Sequence, residues 1–211
     1  MHPFLDRLNV PRQVQEFFYP FFGTDEFGNL LFPYGDADEH FGFAFHRVPA
    51  SENFWMAGNP NLSQVADVII CGTAMDAVAW LKKNYYSFPY LQNLLFLSVG
   101  AGLKQTHIAW IYMRLKSKRF RLLFGRDILG RITDLKLAAG IRGAALEIYN
   151  DGNERIAVHF RSKTFLFSQE SFSLNAFEKA SGFRFNLSCQ KPRAHNSFFE
   201  ELLAAEGLLN H

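Results

Sequence analysis

Three short apolar runs, each followed by a glycine-bearing turn and then an amphipathic stretch, restrict this chain to a small set of folds. The first is Asp67–Cys71, then Gly72-Thr73 and a helical run to about residue 84. The second is 94–99, then Gly100-Ala101-Gly102 and a helix over 104–113. The third is 120–124, a turn at 125–127 and a helix over 129–139, with Gly140 expected to close it. Buried strands alternating with helices call for a mostly parallel sheet covered on both faces. The ligand crevice of such a sheet lies beyond the carboxyl ends of its strands. Gly72, Ser98, Gly125 and Lys191 are therefore predicted to gather there.

The flanking segments read differently. Residues 11–18 form a short helix that Pro20 helps to end. A strand over 24–34, a polar turn at 36–40 and a returning strand over 41–47 make a β-hairpin, with Phe41, Phe43 and Phe45 alternating onto one face. Residues 49–64 are rich in Pro, Asn, Ser and Gly and read as a loop. Past the third unit, apolar runs flank Asn150-Asp151-Gly152-Asn153, a strong hairpin turn, so 144–168 is predicted to be a small β insertion. A helix over 171–181, a strand over 183–187 and a last helix beginning at the Ser197-x-x-Glu200 capping box complete the chain. The expected division is an N-terminal helix and β-hairpin subdomain over 1–64 and an α/β domain over 65–211.

Of 211 residues, 48% are hydrophobic and 20% charged, which excludes extended disorder. The 24 phenylalanines are expected mainly in the core. Two cysteines, Cys71 and Cys189, offer neither metal-ligand spacing nor a disulfide framework, and the histidines are too scattered for a zinc site. No apolar stretch is long enough to span a membrane, and the N-terminus lacks the pattern of a signal peptide, so a cytoplasmic location is expected. The net charge of +2 hides an asymmetry: residues 1–67 balance to −6 and the rest to +8. The densest basic run is Arg114, Lys116, Lys118, Arg119, Arg121, Arg126 and Arg131, a candidate surface for nucleic-acid phosphates.

The first and third units resemble the two signature motifs of the Toprim domain, the metal-binding module of bacterial primases and topoisomerases. The stretch Leu31-Phe32-Pro33 to Gly42-Phe43-Ala44-Phe45-His46-Arg47 is similar to the segment preceding those motifs in bacterial primases, with His46 where Gly is usual, and such stripped cores also occur in mobile-element proteins. The resemblance spans about residues 10–140 and resumes weakly at 183–203. It implies a Toprim-like, Rossmann-like sheet with helices on both faces. Such a domain carries a Glu at the end of the first strand and an Asp-x-Asp pair at the end of the later one. Here Gly72 stands in the Glu position and Gly125 in that of the first Asp; Asp127 is retained, with Asp76 nearby.

The family's chemistry is phosphoryl transfer assisted by Mg²⁺, which prefers carboxylate and water oxygens. Losing two acids removes two negative charges and the proton-transfer group. Arg126 lies where it can neutralise what remains. The resemblance therefore implies a catalytically degenerate protein without a cofactor, any residual Mg²⁺ being held weakly by Asp127 and Asp76. Its expected partners are DNA, single-stranded or duplex, and a replication or mobilisation protein. Two alternatives stand beside it. One is an active Mg²⁺-dependent nucleotidyltransferase with a rearranged acid set of Asp76, Asp127 and Asp134. The other is a protein-interaction module that binds no nucleic acid.

Overall fold

The computed structural model describes residues 1–42, 45–152 and 154–208. Two short helices, α1 (Pro3–Arg7) and α2 (Arg12–Phe18), precede a four-stranded antiparallel sheet. Its strands, β1 (Gly23–Thr24), β2 (Leu30–Pro33), β3 (Asp38–Gly42) and β4 (Phe45–Arg47), lie in sequence order. The returning strand expected over 41–47 is thus two strands. Gly42 pairs with Phe45 and Phe41 with His46, so the chain reverses between them. Phe41 is buried against Phe4 and Phe199, at ring separations of 4.7 and 5.0 Å, whereas Phe45 is exposed. Their burial divides because Phe45 pairs with Gly42, which puts it on the face of the sheet opposite to Phe41. Phe43 falls outside the described residues.

The segment read as a loop over 49–64 contains β5 (Trp55–Gly58), an edge strand of the central sheet. Trp55 is the reason: it is fully buried between Phe18 and Phe32, and its indole N–H donates to the Phe21 carbonyl at 2.7 Å. The three apolar runs then follow as β6 (Asp67–Cys71) with α3 (Ala74–Asn84), β7 (Leu94–Ser98) with α4 (Gln105–Leu115), and β8 (Arg119–Leu123) with α5 (Ile128–Ile141). A separate antiparallel sheet is built from β9 (Glu147–Gly152), β10 (Arg155–Phe160) and β11 (Lys163–Ser168). Helix α6 (Leu174–Ser181), the short strand β12 (Ser188–Cys189) and helix α7 (Phe198–Ala205) end the description.

The central sheet has the order β12-β8-β6-β7-β5, with the first four strands parallel and β5 antiparallel to β7. All five residues of β6 are buried, as a strand covered on both faces requires. Ile69 and Cys71 join Phe96 in a core shared with α2, α3 and α7. Val68 and Ile70 face the other way, into a core with Ile111 and Leu115 of α4 and Leu137 and Ile141 of α5. Among the described residues no helix is long and apolar enough to cross a membrane. Phe27 and Phe45 are the exposed phenylalanines of the described set; the others are buried or half-buried.

Two further elements end differently from the sequence pattern. Gly140 does not close its helix, which runs on to Ile141. A Cβ at 140 would lie 2.2 Å from Ile108 Cγ2, so this glycine lets α4 and α5 approach closely. The strand expected over 183–187 pairs only at Ser188 and Cys189. Phe183 and Phe185 are drawn instead into the core beneath the three-stranded sheet, where Phe185 stacks on Phe177 at 6.1 Å. Asn186, at φ 55°, turns the chain back toward β8.

Candidate functional site

The carboxyl ends of β6, β7 and β8 are level, since Cys71 pairs with both Ser98 and Leu123. Just beyond them Ser98 Oγ donates to the Gly72 carbonyl at 2.7 Å, and Lys191 Nζ donates to the Phe124 and Gly125 carbonyls at 3.0 and 2.8 Å. The four residues expected at the crevice are thus joined in two pairs.

An unforeseen acid dominates this end of the sheet. Glu39, placed by sequence in a polar turn, belongs to β3 and is completely buried. Alternation along β3 turns Glu39 and Phe41 inward, while Asp38 is exposed. Glu39 Oε2 accepts from the Ala74 N–H at 2.7 Å and from the Tyr34 hydroxyl at 2.9 Å. Its Oε1 accepts from the Met75 N–H at 3.3 Å and lies 2.9 Å from His46 Nε2. The carboxylate therefore sits on the positive end of α3, where an anionic ligand of such a fold would otherwise be held. The Tyr34 oxygen also lies 2.6 Å from Ser98 Oγ; with its own proton on Glu39, it can accept the single Ser98 proton in place of the Gly72 carbonyl.

The surviving acids are also engaged. Thr73 caps α3, accepting from the Asp76 N–H at 3.0 Å and donating to Asp76 Oδ2 at 2.9 Å. Asp76 Oδ1 accepts from the Phe199 N–H at 3.0 Å, tying α3 to the first turn of α7. Burial pushes the Asp76 carboxyl up to about 6, against the hydrogen bonds from Phe199 and Thr73, and nearby Glu39 adds to the rise. Asp127 is exposed and caps α5, its Oδ1 accepting from the Gly130 N–H at 2.7 Å. Asp134 is buried inside α5 and meets Lys191 Nζ at 2.5 Å. Burial raises it to about 6, with Lys191 opposing.

The rearranged set of Asp76, Asp127 and Asp134 is therefore not assembled: each acid serves a different backbone or lysine partner. No group of three or more His, Cys, Asp or Glu able to hold a metal ion exists among the described residues. Mg²⁺ needs several oxygens converging on one point, and these residues do not fit it. The two glycines differ. A side chain at Gly72 would meet open space, whereas a Cβ at Gly125 would lie 2.8 Å from the Asn196 carbonyl. Cys71 is buried and its thiol is held well above its ordinary range by desolvation, which makes it a packing residue.

The basic run divides between the two ends of the sheet. Arg126 and Arg131 stand at the carboxyl end. Arg126 donates to the Arg193 carbonyl, and Arg131 donates to the carbonyls of Glu170 and Phe172 at 2.9 and 3.1 Å. Arg114, Lys116, Lys118, Arg119 and Arg121 lie at the amino end, between the last turn of α4 and β8. There Arg119 pairs with Asp67 at 2.7 Å and Arg121 approaches the same carboxylate at 3.6 Å. Arg142, outside the run predicted from sequence, joins this group. No protein-family model, no curated protein and no solved structure matches the chain.

Proposed function

We propose that this chain is a Toprim-like protein, similar in plan to a primase core, that associates with nucleic acid and does not transfer phosphoryl groups. The observation that carries this reading is the use made of its acids. Glu39, Asp76 and Asp127 accept from the helix N–H groups at the end of the sheet where a Toprim site would stand, and Asp134 pairs with Lys191. The exposed cations Arg114, Lys116 and Arg119 at the opposite end support the association with nucleic acid.

The test is titration of a labelled single-stranded oligonucleotide with the purified protein, with and without Mg²⁺, at two salt concentrations. Binding that weakens steeply with salt and ignores Mg²⁺ is expected. Binding that requires Mg²⁺, together with primer synthesis, would overturn the non-catalytic part. Absence of binding to any nucleic acid would favour a module that docks only to protein.

A further inference from the structure

We propose that the amino ends of β6, β7 and β8 form a seat for a single-stranded nucleic acid, with phosphates in a basic hollow and bases stacked on Tyr86 and Tyr90. The inference rests on the nucleic-acid reading above and adds to it a place and a preference for single strands.

The hollow has a volume of about 420 Å³ and is lined by Lys116, Lys118, Arg119, Arg121 and Arg142, with Asp67 as the one carboxylate among its lining residues. Asp67 is buried and shared between Arg119 and Arg121, at 2.7 and 3.6 Å, so Lys116, Lys118 and Arg142 are left without a carboxylate partner among the described residues. Arg142 is fixed in place by donating to the carbonyls of Phe185, Lys116 and Asn186 at 2.6, 3.3 and 3.1 Å. Those acceptors carry no formal charge, and no carboxylate pairs with Arg142 among the described residues. Five cations held around one engaged carboxylate repel one another, and a phosphate entering the hollow relieves that repulsion.

A duplex offers phosphates too, so the preference for a single strand comes from the aromatic side chains beside the cations. The Arg121 guanidinium lies over the Phe88 ring at 5.5 Å. Phe88 belongs to the connection between α3 and β7, which enters β7 at Leu94; Leu94 is level with Asp67, and Asp67 with Arg119. That connection also carries Tyr86 and Tyr90, 81% and 61% exposed. On α4, Lys116 Nζ lies over Tyr112 at 5.5 Å, and Tyr112 is itself 41% exposed. Tyr86 packs one side of its ring on Tyr85 at 3.8 Å and stays largely exposed, and exposed rings on a segment that adjoins a cluster of cations suit unpaired bases. This end of the sheet lies about 13 Å from the end bearing Gly72 and Gly125, the length of a five-residue strand.

The experiment measures binding of a fluorescent oligothymidylate and of a matched duplex to four proteins, each verified as folded by circular dichroism. These are the parent, Lys116→Gln/Lys118→Gln, Tyr86→Ser/Tyr90→Ser, and Arg126→Gln as the comparator from the other end. Arg119 and Arg121 are left in place because they face buried Asp67. The lysine pair is expected to weaken single-strand binding about 10-fold and to flatten the salt slope by about 0.7 for each phosphate no longer neutralised. The tyrosine pair is expected to weaken single-strand binding about 10-fold or more, with its salt slope and its duplex affinity retained. If Arg126→Gln weakens binding while both pairs bind like the parent, the seat is refuted and the functional reading stands. If the parent binds no nucleic acid, the functional reading fails and the seat with it. If polyglutamate of similar length binds as well as the oligonucleotide, recognition of bases is refuted.

Discussion

Replacing Glu39 with alanine removes the single acceptor group on which four donors converge. The Ala74 and Met75 N–H groups belong to the first turn of α3 and have no carbonyl partner within the helix. The Tyr34 hydroxyl and His46 Nε2 complete the set, and the carboxylate is wholly buried. Bonds to a charged group contribute about 1.5–3 kcal/mol each when taken singly, but they share one group and do not add. Removing one partner from a buried charged cluster costs about 3–5 kcal/mol, and that is the loss expected for Glu39→Ala. Glutamine keeps the shape and retains one oxygen for Ala74 and Tyr34. Its amide NH2 then opposes the Met75 N–H, whose bond to Glu39 is the longest of the four, and His46 can accept from it through its other tautomer. Glu39→Gln is therefore expected to cost about 1–2 kcal/mol. Exposed Asp38 supplies the control, with Asp38→Ala changing stability by about 0.5 kcal/mol or less. Urea unfolding followed by circular dichroism reads all three. A loss under about 1 kcal/mol for Glu39→Ala would refute the view that this carboxylate locks the N-terminal sheet onto α3.

The same end of the sheet should also respond to pH and to added side-chain volume. Asp76 has a folded-state value near 6 against an ordinary 3.8. Because the folded value is the higher, its contribution is fully present below pH 4 and is lost as pH rises through 6. That displacement corresponds to about 3 kcal/mol, so the stability of the parent relative to Asp76→Asn should fall by up to that amount between pH 4 and pH 7. Urea midpoints and slopes for the two proteins at four pH values measure it, and a constant difference would contradict the burial argument. Gly125→Ala should cost about 1–3 kcal/mol, since its Cβ would press on the Asn196 carbonyl at 2.8 Å. Gly72→Ala should stay within about 0.5 kcal/mol; equal losses for the two would show that the loop around 196 yields.

Much of the plan was legible along the chain. The three βα units stand where apolar runs and glycine turns placed them, because a strand buried on both faces must be apolar throughout. The insertion also emerged as a three-stranded sheet, although Asn150, Asp151 and Gly152, read as its turn, belong to β9, and Gly152 pairs with Arg155. Short and ambiguous segments were less readable. The stretch 41–47 has the alternation of one strand, yet Phe41 and Gly42 pair with His46 and Phe45; residues 55–58 sit among turn-forming residues, yet Trp55 anchors them in the central sheet. The alternation that turns Phe41 inward also turns Glu39 inward, and applying that period two residues earlier would have found it.

The alternation of elements, the location of the glycine turns and the identity of the acids near them depend on neighbours within a few residues, and all three could be read along the chain. What those acids do was set by contacts made when the chain closed. Glu39 reaches Ala74 across 35 residues, Asp76 reaches Phe199 across 123, and Lys191 reaches Gly125 across 66. The tertiary structure likewise divided one continuous basic run between opposite ends of the sheet, because β8 passes through the middle of it. A carboxylate's role depends on which donors surround it once the chain has closed, and local pattern carries no record of partners so far away.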